Sequence, residues 1–452
     1  MYIYPESRNF ADGKEVYMVN CGAEDCICAD PALGFAGEEQ NGMVMAPLSH
    51  ENAEALRGLF PFTRPVRVLD SVRSFGVGDR LGIAAPGHIR VFRKYDVRPV
   101  LVQQSIRELE LTGRRYEDVL DCASFAVFRE GWKEGFGADG DHLKKPEDIE
   151  YALKLGFTMI TLDLSDHIKS AGMADISSVR DIYLGRTFDI GEGMSVKFDH
   201  EELARCVHIY GEAVDFAVEM YEKFLKSGRY DADFEISIDE TAAPTAPAQH
   251  FFVANELIRR GVRVTTIAPR FIGEFQKGID YIGDIGRFTG EMDVHAQIAR
   301  HFGYKLSIHS GSDKFSVFPI IGEKTRQNYH VKTAGTNWLE AMRIVAERAP
   351  ELYRRVHAFA LDSFDDARRF YHVTTDLTRV PDLAGLKDEE LPALFGNSDA
   401  RQLIHITYGH ILRNEGLRGE LYALWRREAD AYAAALERHI GRHLELLGCP
   451  GR

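Results

Sequence analysis

Residues 137–145 read GADGDHLKK, an acid directly before a histidine where an apolar run gives way to a helix-like segment. Two chemistries fit Asp141 and His142. The first is a proton-transfer carboxylate beside a metal-binding imidazole. The second is plain punctuation, with Asp141 capping the helix that follows. A second imidazole stands in a comparable place. In SIHSGSDKF, an apolar run ends at His309, and the small residues Ser310 and Ser312 follow it, with Asp313 and Lys314 behind. Their N–H groups and hydroxyls suit oxygen atoms of a ligand. Further residues of the same kinds end other apolar runs: His88, Gln103 and Gln104, Asp163 with Asp166 and His167, Asp239 and Glu240, Arg270 and Glu274, His330 and Lys332.

Elements that would gather such residues are visible along the chain. Apolar or β-branched runs recur eight times: LGIAAPG from Leu81, PVLVQQ from Pro99, FGADG from Phe136, FTMITLD from Phe157, FEISID from Phe234, RVTTIA from Arg263, YKLSIH from Tyr304 and YHVKTA from Tyr329. Helical spacing fills the intervals, several times closed by the glycine expected just past a helix end. Strand then helix, eight times, predicts an α/β protein built as a (β/α)8 TIM barrel. The predicted division is a small β-rich cap over residues 1–75, the catalytic barrel over 76–345 and a helical extension over 346–452. A barrel carries its chemistry at the C-terminal ends of its strands, where these polar residues fall.

Composition excludes several classes. A formal net charge of −14 argues against a nucleic-acid surface, which needs a basic face. No apolar run reaches the length of a membrane span, and the first residues lack a basic stretch followed by an apolar core, so a cytoplasmic enzyme is expected. The six cysteines are too few and too scattered for a disulfide framework, and Cys21, Cys26 and Cys28 have no second pair at zinc-finger spacing. FGVGDRLG carries spaced glycines but precedes a strand, the wrong context for a dinucleotide loop. His439 and His443 share a helix face at zinc-binding spacing, yet in the charged segment ERHIGRHLELL they read as solvated surface.

Longer blocks carry a resemblance. GADGDHLK, APRFIGEFQKGIDYIGD, YKLSIHSGSDKFSVFP, HVKTAGTNWLEA and RQLIHITYG together resemble the tagaturonate epimerase family, from about residue 75 onward. The resemblance implies a metal-dependent exchange of D-tagaturonate and D-fructuronate on a barrel fold. The Asp-His pair and the late His-Ser-Gly are also distantly similar to metal-dependent class II aldolases, although position 274 offers Glu where a His is expected. Aldolase-like parts suit the chemistry. The two keto-uronates differ at the carbon β to the ketone, whose C–H the carbonyl does not acidify. Opening the C–C bond, rotating the aldehyde and closing the bond on its other face avoids that difficulty.

These readings place a divalent cation (Zn, Mn, Ni or Co) on His142, Glu274 and His309, with His167 or His330 as competitors of Glu274. Asp141 and Glu240 are the expected acid and base. Arg270, Lys277, Ser310, Ser312, Lys314 and Lys332 are the expected contacts of a small sugar-acid substrate. No nucleic-acid or membrane partner is expected, and the sequence leaves a homo-oligomer open. Three alternatives use the same residues differently: an aldolase or lyase that releases the fragments, a Schiff-base enzyme with Lys332 as nucleophile, and a non-catalytic sugar-binding protein.

Overall fold

The structure, a computed structural model, describes residues 2–22 and 24–452. Its centre is a closed barrel of eight parallel strands. They are β1 (Arg73–Val77), β2 (Arg98–Ser105), β3 (Gly137–Leu143), β4 (Met159–Asp163), β5 (Asp233–Ile238), β6 (Thr266–Pro269), β7 (Lys305–Ile308) and β8 (Tyr329–Thr333). Each strand pairs with the next, and β8 pairs with β1 to close the ring. The expected barrel is the observed one.

The first strand is the correction. LGIAAPG is not a strand: β1 lies eight residues earlier, in RSFGV. That segment gives little apolar signal because its alternate residues, Ser74 and Gly76, sit on the barrel's inner side. Ser74 bonds His330 across the strand pair at 3.0 Å, and a Cβ on Gly76 would fall 1.8 Å from Gln103 Oε1. Residues after β1 instead form a turn in which the Asp79 carboxylate accepts the backbone N–H groups of Leu81, Gly82 and Ala84. Leu81 and Ala84 are apolar because they pack against the C-terminal helices. His88 lies in the helix Ala85–Phe92, buried, and not at a strand end.

A six-stranded antiparallel sheet between Tyr2 and Pro47 precedes the barrel. Its core residues Val16, Ile27 and Ala46 meet Phe125 and Phe128 of the helix Tyr116–Arg129, so the sheet leans on the barrel's outer wall. The C-terminal helices form a second core around Trp338, Trp425, Tyr353 and Leu403. Trp338 and Trp425 are fully buried and donate their indole N–H groups to the Ile404 and Ala341 carbonyls. The last helix, Ala429–Leu446, lies so close to Ala85–Phe92 that a Cβ on Gly87 would reach Leu436 Cδ1 at 2.9 Å. His443 on that helix is buried, so the solvated reading of His439 and His443 does not hold. No helix among the described residues is long and apolar enough to cross a membrane.

The barrel interior departs from the usual branched aliphatic filling. Ile160, Leu162, Ile236, Ile238, Leu306 and Ile308 belong to the apolar core shared with the helices. The alternate residues Asp139, Thr161, Glu235, Ser307, His330 and Lys332 are buried and polar. Period-two alternation therefore separates an apolar shell from a charged axis.

Burial also keeps several histidines neutral. It pulls His88 and His295 down to about 4 and His443 to about 3. Between the ordinary value of 6.5 and about 4, the unfolded chain binds protons that these folded side chains refuse, so stability falls as pH drops through that window. The expected loss at pH 5 is up to about 2 kcal/mol for each such group. Urea midpoints at pH 7 and pH 5 check this: the midpoint should fall, and His88→Gln should make the fall shallower.

Candidate active site

Strand alternation alone would send Asp141 and His142 to opposite faces of β3. His142 instead adopts φ 53°, and the β3–β4 register slips between Ile160 and Leu162. This bulge-like kink turns both side chains to the mouth of the barrel. The following helix begins only at Pro146 behind Lys145, so Asp141 does not cap it. Ser310 (φ 49°) and Asp313 (φ 64°) shape the turn after β7 in the same left-handed region.

The floor of the site is ionic. Lys332 Nζ lies 2.5 Å from Asp141 Oδ1, 2.7 Å from Asp139 Oδ2 and 3.0 Å from Glu235 Oε1, and donates to Thr161 Oγ1 at 2.6 Å. Thr161 in turn donates to Asp139 at 2.9 Å, and Thr266 donates to Glu235 at 2.6 Å. Burial opposes charge on Lys332, but the three carboxylates outweigh it and hold the ammonium well above its ordinary value. Burial lifts Asp139 to about 7 against the pull of Lys332. Asp141 and Glu235 stay well below the carboxylate range despite burial, because Lys332 and the imidazoles favour their anions.

Above this floor, each imidazole has one nitrogen tied to a carboxylate of the floor and one turned to a common point. His142 Nδ1 meets Asp141 Oδ1 at 2.9 Å, leaving Nε2 4.0 Å from Asp239 Oδ1. His309 Nε2 meets Glu235 Oε1 at 2.7 Å, leaving Nδ1 3.1 Å from that same Asp239 oxygen. The rings are 4.9 Å apart. Against burial, Asp239 and Glu235 raise His309 to about 10, and Asp141 raises His142.

The donor set suits a divalent cation. His142, Asp239 and His309 each offer a ligand atom, all within 4.8 Å of one another, and two nitrogens with one carboxylate are common ligands of transition metals. Carboxylates outnumber the Lys332 ammonium here, and the same acids that raise His309 and His142 favour any added positive charge, a proton or a cation, between the two rings. Carboxylates behind both imidazoles fix which nitrogen faces the ion. Asp163 and Glu240 form an adjoining donor group with His142.

Several expected site residues take other positions. Glu274 lines the same cavity as His309 but is not in the donor group that His142, Asp239 and His309 form. The chain after β6 turns at Gly273 (φ 86°), and Glu274 pairs through its backbone with Ile282. Its carboxylate then reaches the rim, 3.2 Å from His372 Nε2 and 4.0 Å from Arg270 Nη2. Asp239, and not Glu274, is the acid with an oxygen within 4.8 Å of a nitrogen of both His142 and His309. His167 stacks on Phe216 with ring centroids 4.1 Å apart, and His330 lies deeper, against Ser74; neither is in the donor group of His142, Asp239 and His309. Lys332 has its donors saturated in the floor. Lys314 donates to the carbonyls of Gln276, Ile279 and Ser312 at 2.6–2.8 Å, a staple between the loops after β6 and β7. Ser312 is buried and contributes its carbonyl to that staple. His439 Nε2 lies 2.7 Å from Asp313 Oδ1, His443 Nε2 accepts the Asp313 N–H at 3.0 Å, and Arg401 pairs with Asp313 at 2.8 Å. The terminal helix thus braces the turn after β7.

A cavity of about 610 Å³ opens beside His309 and Asp239, a size that suits a small sugar acid. Asp239, Glu240, His309, Arg270, Lys277 and Ser310 line it, with Arg107, Tyr371 and His372 from other elements. Asp139, Glu235 and Asp239 had a readable signal: D-x-D in β3 and E-x-S-x-D in β5 place polar residues at period two within apolar strands. Arg107, two residues past the end of β2, had only the strand-end position as a signal, and Tyr371 had none, because it enters through the path of a distant segment.

The profile of a family described as tagaturonate epimerase, UxaE, matches residues 11–447. The chain belongs to the tagaturonate epimerase family. It is 44% identical over 414 residues to the tagaturonate/fructuronate epimerase of Thermotoga maritima, covering 88% of this chain and 85% of that one. Crystal structures of the fructuronate-tagaturonate epimerase UxaE from Cohnella laeviribosi, native and glycerol-complexed, superpose with a TM-score of 0.97 at 49% identity, covering 99% of this chain and 97% of theirs.

Within this family member, removing the ammonium of the floor should be costly. Lys332→Met leaves Asp139, Asp141 and Glu235 buried without their counter-charge, and the expected loss is about 3–5 kcal/mol. Chemical denaturation of the variant beside the unaltered protein measures it, and a loss below about 1 kcal/mol would contradict the pairing.

Proposed function

We propose that the chain is an epimerase that interconverts D-tagaturonate and D-fructuronate by opening and re-forming the bond between the carbons α and β to the ketone, with a divalent cation held by His142, Asp239 and His309. The observation that carries the metal reading is the convergence of the second nitrogen of each imidazole on a single Asp239 oxygen, with a carboxylate behind each ring. When bound there, the cation would supply Lewis-acid stabilisation of the negative charge that develops at the ketone oxygen.

The chain's own groups handle position and protons. Asp141 and Glu235 hold the two imidazoles in register. Glu240 is exposed on the cavity wall and is the group placed to take the proton of the β-hydroxyl and return it after the aldehyde has turned. Asp141 is a poorer base than the sequence suggests, because Lys332 and His142 already share its Oδ1. Its role is to orient His142. The Schiff-base alternative is disfavoured by the same contacts, since an ammonium among three carboxylates has no lone pair for a carbonyl.

Paired substitutions test the ligand assignment. Asp239→Asn should lower metal content and turnover by roughly 10²-fold or more, whereas Glu274→Gln should keep its metal. Metal content of the purified variants by mass spectrometry, with turnover after chelation and reconstitution, reads both. Full turnover in rigorously metal-free protein, or metal loss in Glu274→Gln with retention in Asp239→Asn, would overturn it. Asp141→Asn retains a polar partner for His142 and should lose less turnover than Glu240→Gln. The reverse order would return Asp141 to the role of base.

A further inference from the structure

We infer that Arg107 and Lys277 form the subsite for the substrate's carboxylate and hold the aldehyde fragment while it turns, a reading that rests on the proposed epimerisation. The cavity wall carries two chemically different sets of groups: His309 with Asp239, and the cations Arg107, Arg270 and Lys277. Arg270 already donates to the Thr241 carbonyl and faces Glu274. Arg107 and Lys277 have no ion-pair partner among the described residues. The Arg107 guanidinium lies over the Tyr371 ring at 5.2 Å. Glu108, its neighbour in sequence, is already taken by Arg80, through Nε at 2.9 Å and Nη2 at 2.5 Å. Lys277 donates to the Ser310 hydroxyl at 3.1 Å. Two cations on one cavity wall repel each other even with Glu108 and Glu240 in range of both, and an anion bound between them removes that penalty.

A second set of contacts fixes Arg107. Tyr371 donates its hydroxyl to Tyr408 at 3.2 Å, and the Tyr408 ring carries the Arg80 guanidinium at 3.8 Å. Arg107 is thus positioned by the C-terminal helices through an aromatic face, which steers a cation without neutralising it.

The placement matters for the reaction. In a 2-keto-hexuronate the carboxylate lies two carbons beyond the carbon that is inverted. When the bond between the α- and β-carbons breaks, its electron pair passes to the ketone fragment, and the β-hydroxyl proton passes to Glu240. The carboxylate stays with the aldehyde fragment. Held by Arg107 and Lys277, that fragment can rotate about the bond next to its aldehyde carbon without leaving. The pair then returns to the opposite face, and Glu240 returns the proton.

The test uses Arg107→Met, Lys277→Met and Arg107→Lys in the metal-loaded full chain. Each methionine variant should raise the KM for the keto-uronate by roughly 10- to 100-fold. It should also increase the tartronate semialdehyde released per turnover, with Arg107→Lys intermediate in both. Calorimetry with an inert hexonate reads the subsite without turnover: affinity should fall at least about tenfold, while the affinity for a neutral ketohexose stays unchanged. Equal losses for the hexonate and the ketohexose, or an unchanged keto-uronate KM, would overturn the subsite. If the unaltered enzyme binds the hexonate through Arg107 and Lys277 but does not epimerise keto-uronates, the proposed function fails and the carboxylate subsite stands.

Discussion

The ammonium of Lys332 on the barrel axis is the contact on which the rest of the site depends. Three carboxylates and a hydroxyl from β3, β4 and β5 close on it from across the barrel. Without it the axis would carry only acids, and burial would force them to take up protons or move apart. With it, Asp141 and Glu235 remain anions, and an anion behind each imidazole turns the ring's other nitrogen toward Asp239. A barrel filled with valine and isoleucine would be easier to stabilise. This one accepts a charged axis because the groups it holds in place are those that position the chemistry.

The loops above the axis are tied in a way that the barrel itself does not supply. Lys314 staples the segment after β6 to the turn after β7, and the terminal helix reaches the same turn through His439, His443 and the Asp313 they share with Arg401. Ser310 and Lys277, which face the cavity, sit between these fixed points. The C-terminal helices therefore serve the site twice. They brace one rim loop and, through Tyr371 and His372, form part of the cavity wall.

The cavity wall brings His309 and Asp239 together with the cations Arg107 and Lys277. A substrate with a ketone, hydroxyls and a carboxylate can meet both sets of groups only in a limited range of orientations. Position also separates the carboxylates. Asp141 and Glu235, held as anions by Lys332, orient the imidazoles, whereas Glu240 stands exposed on the cavity wall, where the proposed proton transfer needs it.

Much of this was legible in the amino-acid order. Strand-helix periodicity announced the barrel, and the ends of its strands announced Asp141, His142, Asp239, Glu240 and His309 as rim residues. Such patterns are local: each depends on residues a few positions apart, and the alternation of a strand decides which of them face inward. The blocks around GADGDHLK and SIHSGSDKF carried the family resemblance for the same reason. Tertiary structure alone decided the partners. Glu274 and Asp239 both end apolar runs, but only the path of the loop after β6 shows that Glu274 turns to the rim. Lys314 and Lys332 read as free cations until loop carbonyls and axis carboxylates close around them. Arg107 meets Tyr371 only because the C-terminal helices fold back over the barrel. Charge pairing across a cavity depends on three-dimensional distance, and no spacing along the chain encodes it.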